Sequence, residues 1–194
     1  MSRTAIQEKI LANARRLFNE QGYAKVTMRQ IADALGISVG NLTYHFPRKK
    51  DIAFALMDDT FEHIRPNDPI RSLRQIHDLF SSMLDTLTHN AFFFLDDDFS
   101  ENDRHRLHNG YLREQLIAGL NGLAKAGLFL PSFTPDVCQT LVTLLLMTHL
   151  TWLHQTLRGA APYAMSKEAF LQAHWFILRP YLSEKGLAEY RQLV

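Results

Sequence analysis

Cysteine is almost absent from this sequence: Cys138 is the single one in 194 residues. A lone thiol makes no intramolecular disulfide and no cysteine-cluster zinc site, and it points to a reducing compartment. Long apolar runs are lacking as well. Val137 to Leu153 comes nearest, but it is seventeen residues long and is interrupted by Gln139, His149 and several threonines. A bilayer span needs about 20 mostly apolar residues, so a buried helix is expected there and no membrane partner. The N-terminus MSRTAIQEKI has no apolar signal core, which makes a cytoplasmic location the expectation. Internal repeats, low-complexity tracts and convincing strand alternation are missing too. With 46% apolar and 21% charged residues the chain is not a disordered one either.

Net charge is also small, +1 overall, but it is unevenly placed. Residues 1–50 hold nine basic side chains (Arg3, Lys9, Arg15, Arg16, Lys25, Arg29, Arg48, Lys49 and Lys50) against Glu8, Glu20 and Asp33, a net +6, while residues 51–194 are net −5. A basic head on an acidic body suggests a polyanion as partner for the head alone.

What is present is helical periodicity. Thr4-Ala-Ile-Gln7 forms a capping box, and Ile6, Ile10, Ala14, Leu17 and Phe18 share one stripe before Gly22. A second box, Thr27 to Gln30, opens a short helix closing near Leu35-Gly36. Ser38 caps another running to about His45, and Asp51 to Arg65 gives a helix stopped by Pro66 and Pro69. Later helices are expected over Ile70 to about Leu95, Ser100 to about Leu107, Tyr111 to Leu128, Asp136 to about Leu157 behind the Thr134-Pro135 cap, and Ser166 to about Leu182. The fold class is all-α.

Met28 to His45 carries the chemistry. A helix-turn-helix needs a small residue where its helices cross, a residue that accepts the left-handed turn, and apolar residues pinning both helices to a third. Ala32, Gly36, and Ile31, Leu35, Ile37 and Leu42 supply these in turn. The second helix exposes small and polar side chains, as insertion into a major groove about 12 Å wide requires. An Ala-x-x-x-Gly spacing alone would also suit a packing hairpin. The basic excess and the two successive caps favour the DNA-binding reading.

The following stretch, Gly40-Asn-Leu-Thr-Tyr-His-Phe-Pro-Arg-Lys-Lys-Asp-Ile52, closely resembles the signature of the TetR (tetracycline-repressor-like) family of transcriptional regulators. The resemblance covers about residues 4–57 and includes Gly22-Tyr23, Thr27, Ile31, Ala32, Gly36, Gly40, Leu42, Tyr44, His45, Phe46 and Lys49. It implies a three-helix helix-turn-helix domain over 1–50, joined by a linking helix to a helical ligand-binding and dimerisation domain over 51–194. It further implies that Thr27 and Arg29 sit at a helix N-terminus beside a phosphate, that Tyr44 and Lys49 hold backbone, and that Val39 to Thr43 face the groove. The residues expected at double-stranded DNA are therefore Thr27, Arg29, Ser38, Val39, Gly40, Asn41, Thr43, Tyr44, His45 and Lys49. Thr43 departs from the aromatic residue usual there. Arg48 and Lys50 replace a capping residue and an acid, which should raise phosphate affinity and weaken the helix cap.

The body is read from composition. Asp136 to Leu157 is apolar on more than one face, and with the last helix it is expected to form a homodimer interface, as two-half-site readers commonly need. Phe80, Met83, Phe93, Leu116, Leu120 and Trp152, with His149 as a polar group, have the makeup of a site for a mainly apolar small-molecule effector, although the same residues would serve as plain core. The resulting expectation is a dimeric repressor that reads a palindromic operator and is released by its effector, with no cofactor, metal or catalytic residue. Two other readings remain: a helical metal-dependent enzyme using Asp96, Asp97, Asp98, Glu101, Asp103, His105 and His108, and an architectural DNA-binding protein without effector. The enzyme reading lacks a nucleophile with an adjacent base or an H-E-x-x-H pattern.

Overall fold

Reciprocal threonine–glutamine caps start the first two helices. Thr4 and Thr27 each accept from the amide of the glutamine three residues on, while that glutamine's side chain accepts from the threonine amide. The computed structural model describes residues 3–64, 68–95, 103–157 and 166–193. Its helices are α1 (Ala5–Gln21), α2 (Met28–Leu35), α3 (Val39–His45), α4 (Lys49–Ile64), α5 (Leu73–His89), α6 (Phe92–Leu95), α7 (Asp103–Lys125), α8 (Pro135–Leu157), α9 (Lys167–Leu178) and α10 (Glu184–Tyr190). Among the described residues the only β contact is an isolated bridge between Phe129 and Leu182. The all-α expectation holds.

Packing divides the chain into two units, Met1–His63 with His89–Glu101, and Ile64–Thr88 with Asn102–Val194. This does not follow the change of charge after Lys50, because Ile52, Ala53, Leu56 and Met57 of α4 are buried in one core with Ile10, Leu11, Ala14, Phe18, Ile31 and Leu42. An ion pair between Arg3 and Asp59 also ties α4 to the N-terminus.

Three helix boundaries differ from those the sequence predicts. The helix expected to run unbroken to Leu95 stops at His89. Asn19 explains the break: its Nδ2 donates to the His89 carbonyl at 2.8 Å and its Oδ1 accepts from the Phe92 amide at 3.3 Å. Released from α5, Phe92 and Phe93 join the core of the first unit, with Phe92 5.0 Å from the Phe18 ring. In the second unit, α7 runs straight through Gly110, where two helices were expected. An exposed glycine costs a helix only about 1 kcal/mol, too little to end it. At the C-terminus a 3-10 turn (Arg179–Tyr181) replaces the end of the helix expected to run to about Leu182, and α10, which the sequence does not indicate, follows it. Here α10 rests on the turn after α7. The Ser183 amide donates to the Leu128 carbonyl at 3.0 Å, and a Cβ on Gly186 would stand 2.1 Å from that oxygen.

Candidate nucleic-acid interface

The second capping box fixes where α2 begins, and Gly36 fixes where it ends. Gly36 adopts φ +65° and ψ 31°, a left-handed conformation that costs a residue with a Cβ but not glycine. The Gly36 amide donates to Asp33 O and the Ile37 amide to Ala32 O, each at 3.1 Å, so the last carbonyls of α2 are satisfied within the turn. Ser38 then caps α3 by accepting from the Asn41 amide at 3.1 Å. Leu42 is the one residue of α3 that is fully buried. It pins the helix to the core formed by α1 and α2 and leaves the rest of α3 turned outward.

On that outer side Ser38, Val39, Gly40 and Asn41 are exposed, and Tyr44 is 85% exposed. Thr43 and His45 are half-buried, the former donating its hydroxyl to Gly40 O at 3.1 Å and the latter meeting Tyr44 edge-on at 5.1 Å. An 85% exposed tyrosine gains little from its own fold, so its aromatic ring and hydroxyl are free for a partner. Arg29, Arg48 and Lys50 are exposed as well. The first amides of α2 add partial positive charge, because a helix N-terminus has no internal acceptor for them.

Two basic residues have tasks that the sequence does not reveal. Lys49 Nζ donates to Tyr23 O and Val26 O at 2.8 Å each and to Ala24 O at 3.4 Å, and it lies 4.1 Å from the centre of the Tyr23 ring. An ammonium has three protons, and each has a carbonyl here. Lys49 thus fastens the start of α4 to the turn between α1 and α2, where a hold on DNA backbone was expected. Arg48, just before α4, forms the return half of a capping box: its amide donates to Asp51 Oδ2 at 2.9 Å, and its guanidinium holds both oxygens of that carboxylate. That hydrogen bond holds the Asp51 carboxyl below the usual carboxylate range. An acid three residues into the helix was the available signal.

Of the residues considered for a small molecule, Phe80, Met83, Leu116, Leu120, His149 and Trp152 are all buried in the second unit. Phe93 is not with them; the break at Asn90 places it in the core of the first unit. His149 is ringed by Phe80 at 5.8 Å, Phe170 at 5.1 Å and His174 at 4.3 Å between centroids, and Trp152 stacks on Phe170 at 4.6 Å. His174, which composition did not single out, contacts His149 through ring nitrogens 2.7 Å apart. Burial, and then the neighbouring His174, push His149 down to about 3. Burial pushes the Cys138 thiol up to about 11, which leaves it a thiol rather than a reactive thiolate.

Asp96, Asp97, Asp98 and Glu101 lie outside the described residues, as do the side chains of Asp103, His105 and His108 on α7. Among the described residues no group of three or more His, Cys, Asp or Glu could hold a metal ion, and no helix is long and apolar enough to cross a membrane.

Residues 10–56 match the family model for bacterial regulatory proteins of the tetR family. Among curated proteins, the HTH-type transcriptional regulator CymR of Pseudomonas putida is 35% identical over 96 residues, which are 48% of this chain and 46% of that protein. The match therefore spans less than half of the relative's length. Solved structures share the fold over nearly the whole chain. A TetR-family transcriptional regulator from Marinobacter aquaeolei VT8 has a TM-score of 0.77 at 23% identity, covering 94% of this chain and 93% of that one. The SmeT–triclosan complex has a TM-score of 0.69 at 19% identity, covering 93% of each chain.

Proposed function

We propose that this chain is a DNA-binding repressor of the TetR family, dimeric on a pseudo-palindromic operator and released by a small molecule; the family-model match over residues 10–56 and the TetR-family fold shared over nearly the whole chain support the reading. The observation that carries the reading is the build of α3. It is capped at Ser38, pinned by Leu42 alone, and otherwise presents Val39, Gly40, Asn41 and Tyr44 to solvent beside exposed Arg29, Arg48 and Lys50. Phosphate contacts from the basic groups and the α2 amides would set the register, while Asn41 and Thr43 read base edges.

The dimer is supported by large apolar side chains that the folded chain leaves in water. Leu144 and Met147 on α8 are 48% and 61% exposed, and Phe176 on α9 is 77% exposed. A second copy covering these helices would remove that cost, and two-fold symmetry would then set the spacing of the two α3 helices. Release by a ligand is supported by the aromatic surroundings of His149 in the second unit, and by the small molecule named with one fold neighbour, SmeT. The chain passes from one unit to the other along α4 and back at the end of α5, so a change in the body has covalent routes to the head. A regulator of this kind acts in the cytoplasm and performs no catalysis.

The test is a comparison of affinities at moderate salt between the DNA upstream of the protein's own gene and a scrambled duplex of equal length. Preference for the upstream DNA by about 1,000-fold or more is expected of a specific binder. Equal binding would remove the reading's main support.

A further inference from the structure

Two buried histidines in the second unit have their protons dictated by their neighbours. His174 Nδ1 lies 2.8 Å from the Phe170 carbonyl oxygen. A carbonyl only accepts, so Nδ1 carries the hydrogen, and the neutral ring is left with a lone pair on Nε2. That Nε2 lies 2.7 Å from His149 Nδ1, which must therefore be the donor. Neutral His149 is then left with an unprotonated Nε2. This nitrogen is buried and has no hydrogen-bond partner, in a residue that is 1% exposed. Taking up a second proton is no escape, because burial disfavours the charged form of both rings. The Leu145 and Phe80 carbonyls favour the charged form of His149 without restoring it. A carbonyl, being an acceptor, cannot serve a nitrogen that has no hydrogen to give.

We propose that His149 Nε2 is the polar anchor of the effector site and that its ligand is a neutral aromatic molecule donating a hydroxyl hydrogen to it. The proposal rests on the effector-release reading above and assigns the chemical class of the ligand. Phe80 and Phe170 flank the His149 ring, and Trp152 stacks on Phe170, so the surroundings favour an aromatic body. The bare nitrogen selects the polar group. A phenol donates to it; an ether of the same shape brings only a second lone pair; a carboxylate would require His149 to become an imidazolium. Rejection of analogues that cannot complete a buried hydrogen bond is how such sites discriminate.

The experiment titrates the full-length protein at pH 7.5 with 4-ethylphenol, 4-ethylanisole and 4-ethylbenzoate, read by calorimetry. The phenol should bind about tenfold or more tightly than the anisole, the gain from one satisfied buried hydrogen bond, with the benzoate weakest. His149→Phe should shrink the gap between phenol and anisole to about twofold or less, since no acceptor remains. That variant strands His174 Nε2, so the double variant H149F/H174F repeats the comparison with both polar groups gone. A long-range proton–nitrogen correlation spectrum of the wild type, labelled at histidine, should show His149 protonated at Nδ1, with its Nε2 resonance moving on addition of the phenol. Equal affinity for the three compounds, binding by none of them, or a proton on His149 Nε2 would each overturn the proposal. Operator affinity measured without ligand is the separate control. Its loss would strike at the regulator reading itself, whereas those three outcomes strike only at the ligand assignment.

Discussion

Removing the charge of Lys49 while keeping its apolar stem, as in Lys49→Met, separates two accounts of this residue. If Lys49 is a clamp, the substitution deprives the Tyr23 and Val26 carbonyls of short charged hydrogen bonds and the Ala24 carbonyl of a longer one. Hydrogen bonds to charged groups contribute about 1.5–3 kcal/mol each. Lys49 is only half-buried and water can replace part of the loss, so the head should lose about 2–3 kcal/mol in all, including a small cation–π share. If Lys49 instead holds a phosphate, stability should barely change, and the slope of log affinity against log salt should become shallower by about 0.9 per lost contact. The assay pairs hydrogen exchange of the α1–α3 amides in the free protein with operator titrations at several salt concentrations. Tryptophan fluorescence does not serve here, because Trp152 and Trp175 both lie in the other unit. Faster exchange across α1–α3 with an unchanged salt slope is expected. Unchanged exchange with a shallower slope would refute the clamp.

Tyr44→Ala should leave folding stability within about 0.5 kcal/mol, since the ring is almost wholly exposed, and should lower operator affinity by about tenfold or more in fluorescence anisotropy. Phe176→Glu combined with Met147→Lys should give folded monomers in sedimentation; a persistent dimer would place the interface elsewhere. Gly186→Ala should destabilise the second unit by about 2–3 kcal/mol in a melt followed by tryptophan fluorescence, because its Cβ would sit 2.1 Å from Leu128 O. The second unit should also lose stability in acid. His149 and His174 both have folded values depressed below 6.5, so the unfolded chain binds more protons, and stability present above about pH 6.5 is lost as the pH falls, down to about pH 3 for His149. The slope should approach about 1.4 kcal/mol per pH unit from His149, with His174 adding in the same direction, and H149F/H174F should flatten it.

The helix starts were the most legible part of the fold, because capping is written in short local patterns. Thr4 with Gln7, Thr27 with Gln30, Ser38 and Ser166 all cap where the sequence places them. The helix-turn-helix was legible for the same reason, as Gly36 and Leu42 each answer a local geometric demand. The breaks decided by tertiary contact were not. No local pattern marks the end of α5 at His89, because the residue that stabilises the break, Asn19, is seventy residues away. Composition groups Phe93 with Phe80 and Met83, whereas packing places it in the core of the first unit. The His149–His174 pair was hidden likewise, since two helices must meet before either ring's proton is determined. Lys49 shows the converse limit: a basic residue in a DNA-binding pattern is read as a phosphate contact until its three carbonyl partners are seen.

On the proposed reading, two copies of this head bind a two-fold related DNA site. Selection from a randomised duplex pool, with sedimentation of the complex formed on the winning sequence, addresses it most directly. Two inverted half-sites separated by about one helical turn or slightly more, bound by one dimer or a whole number of dimers, are expected. Enrichment of no sequence, or of a single asymmetric site bound by one chain, would contradict it.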